Sequence, residues 1–303
     1  MRAHLPPRGR DRTPSSPMAA YLAIAAATIL WSVNYSFAKM AVLEIDPFAV
    51  AFVRVLVATP LFFMALAWQG QPILPTVAEL RAALPLGVTG VLANQIFFIT
   101  GIRRTTPAHS ALVVSLLPVA ALLLAAFLLG EKLTPLKVTG VLVAFAGIFL
   151  ISIRDGWSFS RDTLGGDLLT LCGVCAFAYY TVAGKKVIPR IGVLRTTALC
   201  FLIGGALMLP LVISRALHQD WGSVSPRGWG ALAYVVFAAT FLCYLLYYGA
   251  LSRIESGKVA AFTYLQPVLA GITSYLILDE SIQGHFVLGG IAVLTGVYLT
   301  ERG

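Results

Sequence analysis

The sequence predicts an all-α polytopic membrane protein whose ten transmembrane helices form two inverted-topology repeats of five. Three observations carry this. Of the 303 residues, 58% are hydrophobic and only 12% charged, whereas a soluble domain carries about a quarter charged residues. Apolar runs of roughly the 20 residues needed to cross a bilayer recur along the chain. The second half also repeats features of the first at a constant offset. So apolar a chain would expose greasy surface in water even after filling its core, which excludes a soluble enzyme and a disordered chain. The net charge of +9 would suit a nucleic-acid binder in a soluble protein. Here the basic residues belong at the cytoplasmic side of a membrane instead, and no nucleic-acid partner is expected.

Residues 1–17 are basic and rich in proline, a composition that predicts a disordered cytoplasmic tail. The apolar run that follows is a full span long and lacks a small-residue cleavage site, so it reads as an uncleaved first helix. The ten apolar segments are 19–40, 47–68, 82–102, 108–129, 135–153, 166–187, 194–213, 228–251, 258–278 and 284–300. Turn and charge signals separate them, such as Glu44-Ile45-Asp46-Pro47 and Ser225-Pro226-Arg227. None alternates in the manner of a membrane β-strand. With the N-terminus cytoplasmic, most of the 22 basic residues fall inside. Much of that bias lies in Arg2, Arg8, Arg10 and Arg12. Both termini are therefore expected in the cytoplasm.

A shift of 149 residues superposes Pro118 on Pro267, Glu131 on Glu280, Gly140 on Gly289 and Gly147 on Gly296 without a gap. It also carries Arg104 onto Arg253. The repeats are expected at 18–153 and 165–303, joined by a linker at 154–164. Five spans per half make the second half enter the membrane from the opposite side, the arrangement that underlies alternating access around a midplane site. The prolines are expected to bend their spans, and the glycines, one helical face seven residues apart, to let helices approach. Glu131 and Glu280 sit at helix ends, where capping or loop ion pairing suits them better than proton carriage.

The runs from Pro107 to Leu150 and from Ser256 to Leu299 each hold a small-residue stretch, Pro-Val, a helix-end Glu and spaced glycines. Both resemble the EamA-type repeat of the drug/metabolite transporter superfamily. Trp31-Ser32-Val33-Asn34 leading to Lys39, Pro47 leading to Arg54, and Ala176-Phe177-Ala178-Tyr179-Tyr180 extend the likeness. The resemblance covers nearly the whole chain. It implies ten helices and transport of small metabolites, commonly export of amino acids, and it implies that Lys39 and Arg54 matter.

Polar and aromatic side chains inside spans are costly unless they meet a cavity or a partner. Trp31, Asn34 and Tyr35 share one face of the first span, and Asn94, Gln95 and Phe98 form a stripe on the third. Tyr179 and Tyr180 on the sixth, Tyr244 and Tyr248 on the eighth, and Tyr264 and Gln266 on the ninth complete the set. These twelve are the expected substrate-binding residues. Two other uses stay open: the amides can join neighbouring helices, and tyrosines near span ends can form an interfacial belt. Lys39, Arg54, Pro118, Pro267, Glu131, Glu280, Gly140, Gly147, Gly289 and Gly296 are expected to gate or support.

Such a cavity is apolar and aromatic with amides at its centre, which suits an amino acid with a large apolar side chain. No acidic residue is placed well inside a span, so facilitated transport is expected, with proton antiport as the alternative. A membrane enzyme lacks its motifs: there is no His-Glu-x-x-His helix, Gly-x-Ser-x-Gly elbow or Walker loop. Cys172 and Cys175 lie inside a span, where packing suits them better than metal binding. No metal, cofactor or catalytic residue is expected. The expected partners are a small solute and membrane lipid, with a monomer as the functional unit in the cell membrane. A channel would need more polar faces.

Overall fold

The computed structural model describes residues 17–129, 134–151, 153–154, 158–159, 161–251, 262, 265–279 and 283–302. Apart from a two-residue antiparallel ladder, β1 (Ile153–Arg154) with β2 (Ser158–Phe159), the regular structure among them is helical. The chain is an all-α polytopic membrane protein. Among the described residues, seven helices are long and apolar enough to cross a bilayer, and three shorter apolar helices accompany them.

α1 (Pro17–Glu44) and α2 (Pro47–Trp68) come first. The 28 residues of α1 reach about 42 Å at 1.5 Å per residue. A tight turn joins the two helices, with Asp46 capping α2 by accepting from the Phe48 amide at 2.8 Å and Pro47 opening it. α3 runs from Val77 to Arg104, longer at both ends than the apolar segment 82–102, because polar first and last turns cost nothing outside the hydrocarbon. Its start is a capping box: Thr76 accepts from the Glu79 amide, and Glu79 accepts back from the Thr76 amide at 2.8 Å.

The fourth apolar segment is two helices, α4 (Pro107–Val114) and α5 (Leu117–Leu129). Pro118 stands in the first turn of α5, just past the break at Ser115-Leu116 within the 107–128 span. Pro267 has the same place in α10 (Gln266–Leu278). α6 (Pro135–Ile151) follows. α7 (Arg161–Ile191) and α8 (Val193–His218) are separated by Gly192 alone, whose φ of 91° L side chains rarely adopt.

α9 begins at Pro226 under an N-cap from Ser225, 149 positions after Thr76. The carboxylate that Thr76 finds in Glu79, Ser225 finds in Glu44 at the end of α1, whose oxygens accept from the Ser225 amide and hydroxyl at 2.8 Å each. Both α3 and α9 widen into π-helical turns, over Val88–Ala93 and Tyr234–Leu242, before returning to α geometry at Asn94 and Cys243. These two return points also stand 149 residues apart. The chain ends in α11 (Gly284–Arg302).

The halves interlock. α1 packs on α9 and α10 while α7 packs on α3, α4 and α5; α2 lies on α8, and α6 on α11. One apolar cluster spans both halves, drawing Phe62, Leu86, Ile99, Leu199, Phe201 and Val235 from α2, α3, α8 and α9. At the α6–α11 crossing the backbones nearly touch. A Cβ on Gly147 would stand 2.6 Å from the Val293 nitrogen and 2.7 Å from the Gly289 oxygen, and one on Gly296 would stand 2.5 Å from the Gly140 oxygen. Bilayer helices gain no hydrophobic drive from meeting, so close backbone contact is what holds such a pair.

Two polar ties close the ends of the bundle. Where α8 starts, buried Arg195 donates from Nε to Glu79 Oε1 at 2.6 Å and from Nη2 to Oε2 at 3.0 Å, and also binds the Pro72 and Leu74 carbonyls. At the opposite end, Lys39 donates to the carbonyls of Ile102, Arg103 and Thr105 at 2.7–3.0 Å. A cation suits this position because those carbonyls form the negative end of α3.

Candidate functional site

The face of α1 that carries Trp31 and Tyr35 meets three helices. Trp31 donates from its indole nitrogen to the Ala239 carbonyl in the π-helical turns of α9, at 2.9 Å. Its ring stands edge-on to Tyr244 at 6.0 Å and tilted to Tyr247 at 5.3 Å. Tyr35 donates to Gln266 Oε1 of α10 at 3.3 Å and sets its ring edge-on to Phe98 of α3 at 5.9 Å. Five of the residues expected from the sequence, Trp31, Tyr35, Phe98, Tyr244 and Gln266, thus meet inside the bundle. Phe62 and Phe201 add to the aromatic wall against Tyr244.

The other expected residues divide. Asn94 donates to the Gly173 carbonyl at 3.0 Å and so ties α3 to α7. Gln95 is buried. Tyr180 covers Gly90 and stacks on Phe177 at 5.2 Å. Tyr179 faces elsewhere, lining an apolar cavity of about 310 Å³ with Leu116, Leu123 and Phe145. Tyr264, Glu131 and Glu280, and the side chains of Tyr248 and Pro118, lie outside the described residues. A larger cavity, about 490 Å³, opens between the start of α2, the end of α3 and the start of α7, where Asp46, Thr100, Arg103 and Asp162 line it.

Asn34 shares the α1 face with Trp31. It is 5% exposed, and its side-chain oxygen has no hydrogen-bond partner. Among the described residues only Ser110 Oγ shares that condition. Leu30 and Phe37 flank Asn34 on one side, and both meet Tyr234: the tyrosine hydroxyl donates to the Leu30 carbonyl at 2.9 Å, and its ring stacks on Phe37 at 4.2 Å. Trp31 flanks it on the other. The α1 face that carries Asn34 therefore meets the π-helical stretch of α9.

Two further charged side chains lie buried in the bundle. Arg54, expected to gate or support, is 7% exposed inside the bundle and donates from Nε to the Thr240 hydroxyl. Thr240 in turn donates to the Val235 carbonyl at 2.8 Å, across the widened π turn. Asp167 lies inside α7 at 4% exposure, accepting from Thr105 at 2.6 Å and meeting His109 Nδ1 at 3.2 Å. Thr240 and Tyr234 carry no distinguishing sequence signal, since each is one more polar residue in an apolar run, whereas Asp167 is an acid at the start of the segment 166–187.

These residues give a multi-pass membrane protein an aromatic and polar interior. The EamA-like transporter family matches residues 18–153 and again 164–302, and the chain belongs to that family. An uncharacterized transporter of Archaeoglobus fulgidus is 28% identical over 92% of this chain and 96% of its own length. A probable amino-acid metabolite efflux pump of Escherichia coli (strain K12) is 27% identical over 91% and 92%. One crystal structure superposes with a TM-score of 0.65 at 21% identity, covering 94% of this chain and 96% of the other, and so shares the fold.

Proposed function

We propose that the protein is a secondary carrier exporting amphipathic amino acids with large apolar side chains, by alternating access between two inverted five-helix repeats. The meeting of Trp31, Tyr35, Phe98, Tyr244 and Gln266 from four helices carries this reading. Aromatic walls supply affinity for an apolar side chain, and the few polar groups orient the solute. The two family matches, the π turns and caps 149 residues apart, and the paired helix contacts support the repeat. The efflux-pump relatives support amino-acid export. On this reading it works in the plasma membrane, with both termini cytoplasmic, as a monomer acting on a small solute.

Downhill, facilitated movement is the first reading of its energetics. Proton-coupled antiport is the second, and the buried Asp167–His109 pair favours it, because an acid inside a span is the usual mark of a proton pathway. Reconstitution tests both: labelled phenylalanine should cross proteoliposome membranes saturably. An imposed pH gradient that drives it uphill would select the second reading, and absence of flux for every amino acid tested would reject the substrate class.

A further inference from the structure

Among the described residues, the buried charges are compensated with one exception. Arg195 has a carboxylate and two carbonyls. Asp167 has a hydroxyl and an imidazole, and even the half-buried Lys39 has three carbonyls. Arg54 is as buried as Arg195, yet the neutral hydroxyl of Thr240 is its hydrogen-bond partner, and no carboxylate pairs with it among the described residues. It stands seven residues into α2 from Pro47, about 10 Å along the axis. A guanidinium there, unable to lose its proton and with most of its five donors unspent, is costly unless an anion completes it.

The second observation is Asn34. Asn34, with its unpartnered oxygen, lies on the α1 face between Phe37 and Trp31, which meet Tyr234 and Ala239 in the same stretch of α9 whose Thr240 holds Arg54. An unsatisfied buried acceptor and an unsatisfied buried cation thus lie along one set of π-helical turns, beside the aromatic wall of Trp31, Phe62 and Tyr244.

We infer that this is the substrate's polar anchor: Arg54 takes a carboxylate, Asn34 Oδ1 accepts from an adjacent ammonium or amine N–H, and the aromatic wall takes the side chain. The inference rests on the carrier reading and sharpens it. The substrate class becomes compounds with a free carboxylate, and the zwitterionic α-amino acid fills both anchors at once. It also replaces the uncharged centre that the sequence alone suggests. Charge-assisted, forked guanidinium–carboxylate bonds are stronger than neutral ones and select for the planar anion.

The test uses the purified full chain. Saturable quenching of tryptophan fluorescence is measured with phenylalanine, its methyl ester and 3-phenylpropanoate, and uptake of the same compounds is followed in proteoliposomes. Wild type should bind phenylalanine most tightly. Arg54→Gln should weaken phenylalanine and 3-phenylpropanoate at least tenfold and leave the ester within twofold, and Arg54→Lys should restore part of the loss. Asn34→Ala should weaken phenylalanine but not 3-phenylpropanoate. A thermal melt of each variant reports folding, and Thr240→Val, which loosens Arg54 while keeping its charge, serves as a second variant if Arg54→Gln unfolds. Equal losses for acid and ester would make Arg54 structural and overturn the proposal, as would binding of neutral or cationic solutes alone. If 3-phenylpropanoate binds through Arg54 while no amino acid binds or moves, the anchor stands and the amino-acid reading fails.

Discussion

Replacing Gly147 with alanine puts a methyl group where the structure has none to spare. The new Cβ would stand 2.6 Å from the Val293 nitrogen and 2.7 Å from the Gly289 oxygen of α11, against an ordinary contact beginning at 3.4 Å. Both obstacles are backbone, so no side-chain rotation relieves them. The α6–α11 pair must open by about 0.8 Å along that contact, and overpacking of this kind costs about 1–3 kcal/mol. For a chain of this size that lowers the melting temperature by several degrees, roughly 2–4 °C for each kcal/mol. The assay is a thermal melt in detergent, followed by loss of the monodisperse peak on size exclusion. Gly230→Ala is the matched control: it lies in α9, and nothing stands within 4 Å of its added Cβ. There the better helix propensity of alanine should leave the protein as stable as wild type or raise it by up to about 1 kcal/mol. Equal melting temperatures for Gly147→Ala and wild type would refute the close crossing of α6 and α11.

Other outcomes follow from the same geometry. Gly192→Ala forces a Cβ into a φ of 91° and should cost about 1–2 kcal/mol by thermal melt, with Gly192→Asn milder. Glu79→Gln strips the carboxylate from buried Arg195; because Glu79 is itself partly exposed, the loss should be about 1–3 kcal/mol, and Glu79→Gln with Arg195→Met together should recover part of it in a double-mutant cycle. Lys39→Met removes the cation from three carbonyls at the end of α3 and should lower stability by about 1 kcal/mol in the same melt. Asn34→Ala should leave the melt unchanged, since its oxygen gives up no bond in the unliganded fold, while phenylalanine binding falls.

Hydropathy makes the spans legible because a bilayer leaves few alternatives to an apolar helix, and the described helices fall where the apolar runs do. The ends are less legible. α3 extends to Val77 and Arg104, and α7 to Arg161 and Ile191, because polar turns beyond the hydrocarbon carry no apolar signal. The division of the fourth run at Ser115-Leu116 and the π turns of α3 and α9 escape composition altogether, since a changed hydrogen-bond step alters no residue type. Linear position also says little about which way a side chain points. Trp31 and Tyr35 share a face by spacing, so their meeting with α9 and α10 was within reach of helical periodicity. Arg54 and Asp167 sit close to span ends in the sequence, and only the packing of α2 on α8 and α9, and of α7 on α3 and α4, buries them.

A carrier that moves an amphipathic amino acid by alternating access exchanges it across the membrane. Counterflow tests it most directly: proteoliposomes loaded with unlabelled phenylalanine are placed in a trace of labelled phenylalanine. The account predicts a transient accumulation of label that saturates with concentration and disappears in unloaded vesicles. Label that only equilibrates, at a rate linear in concentration and indifferent to the internal load, would contradict it.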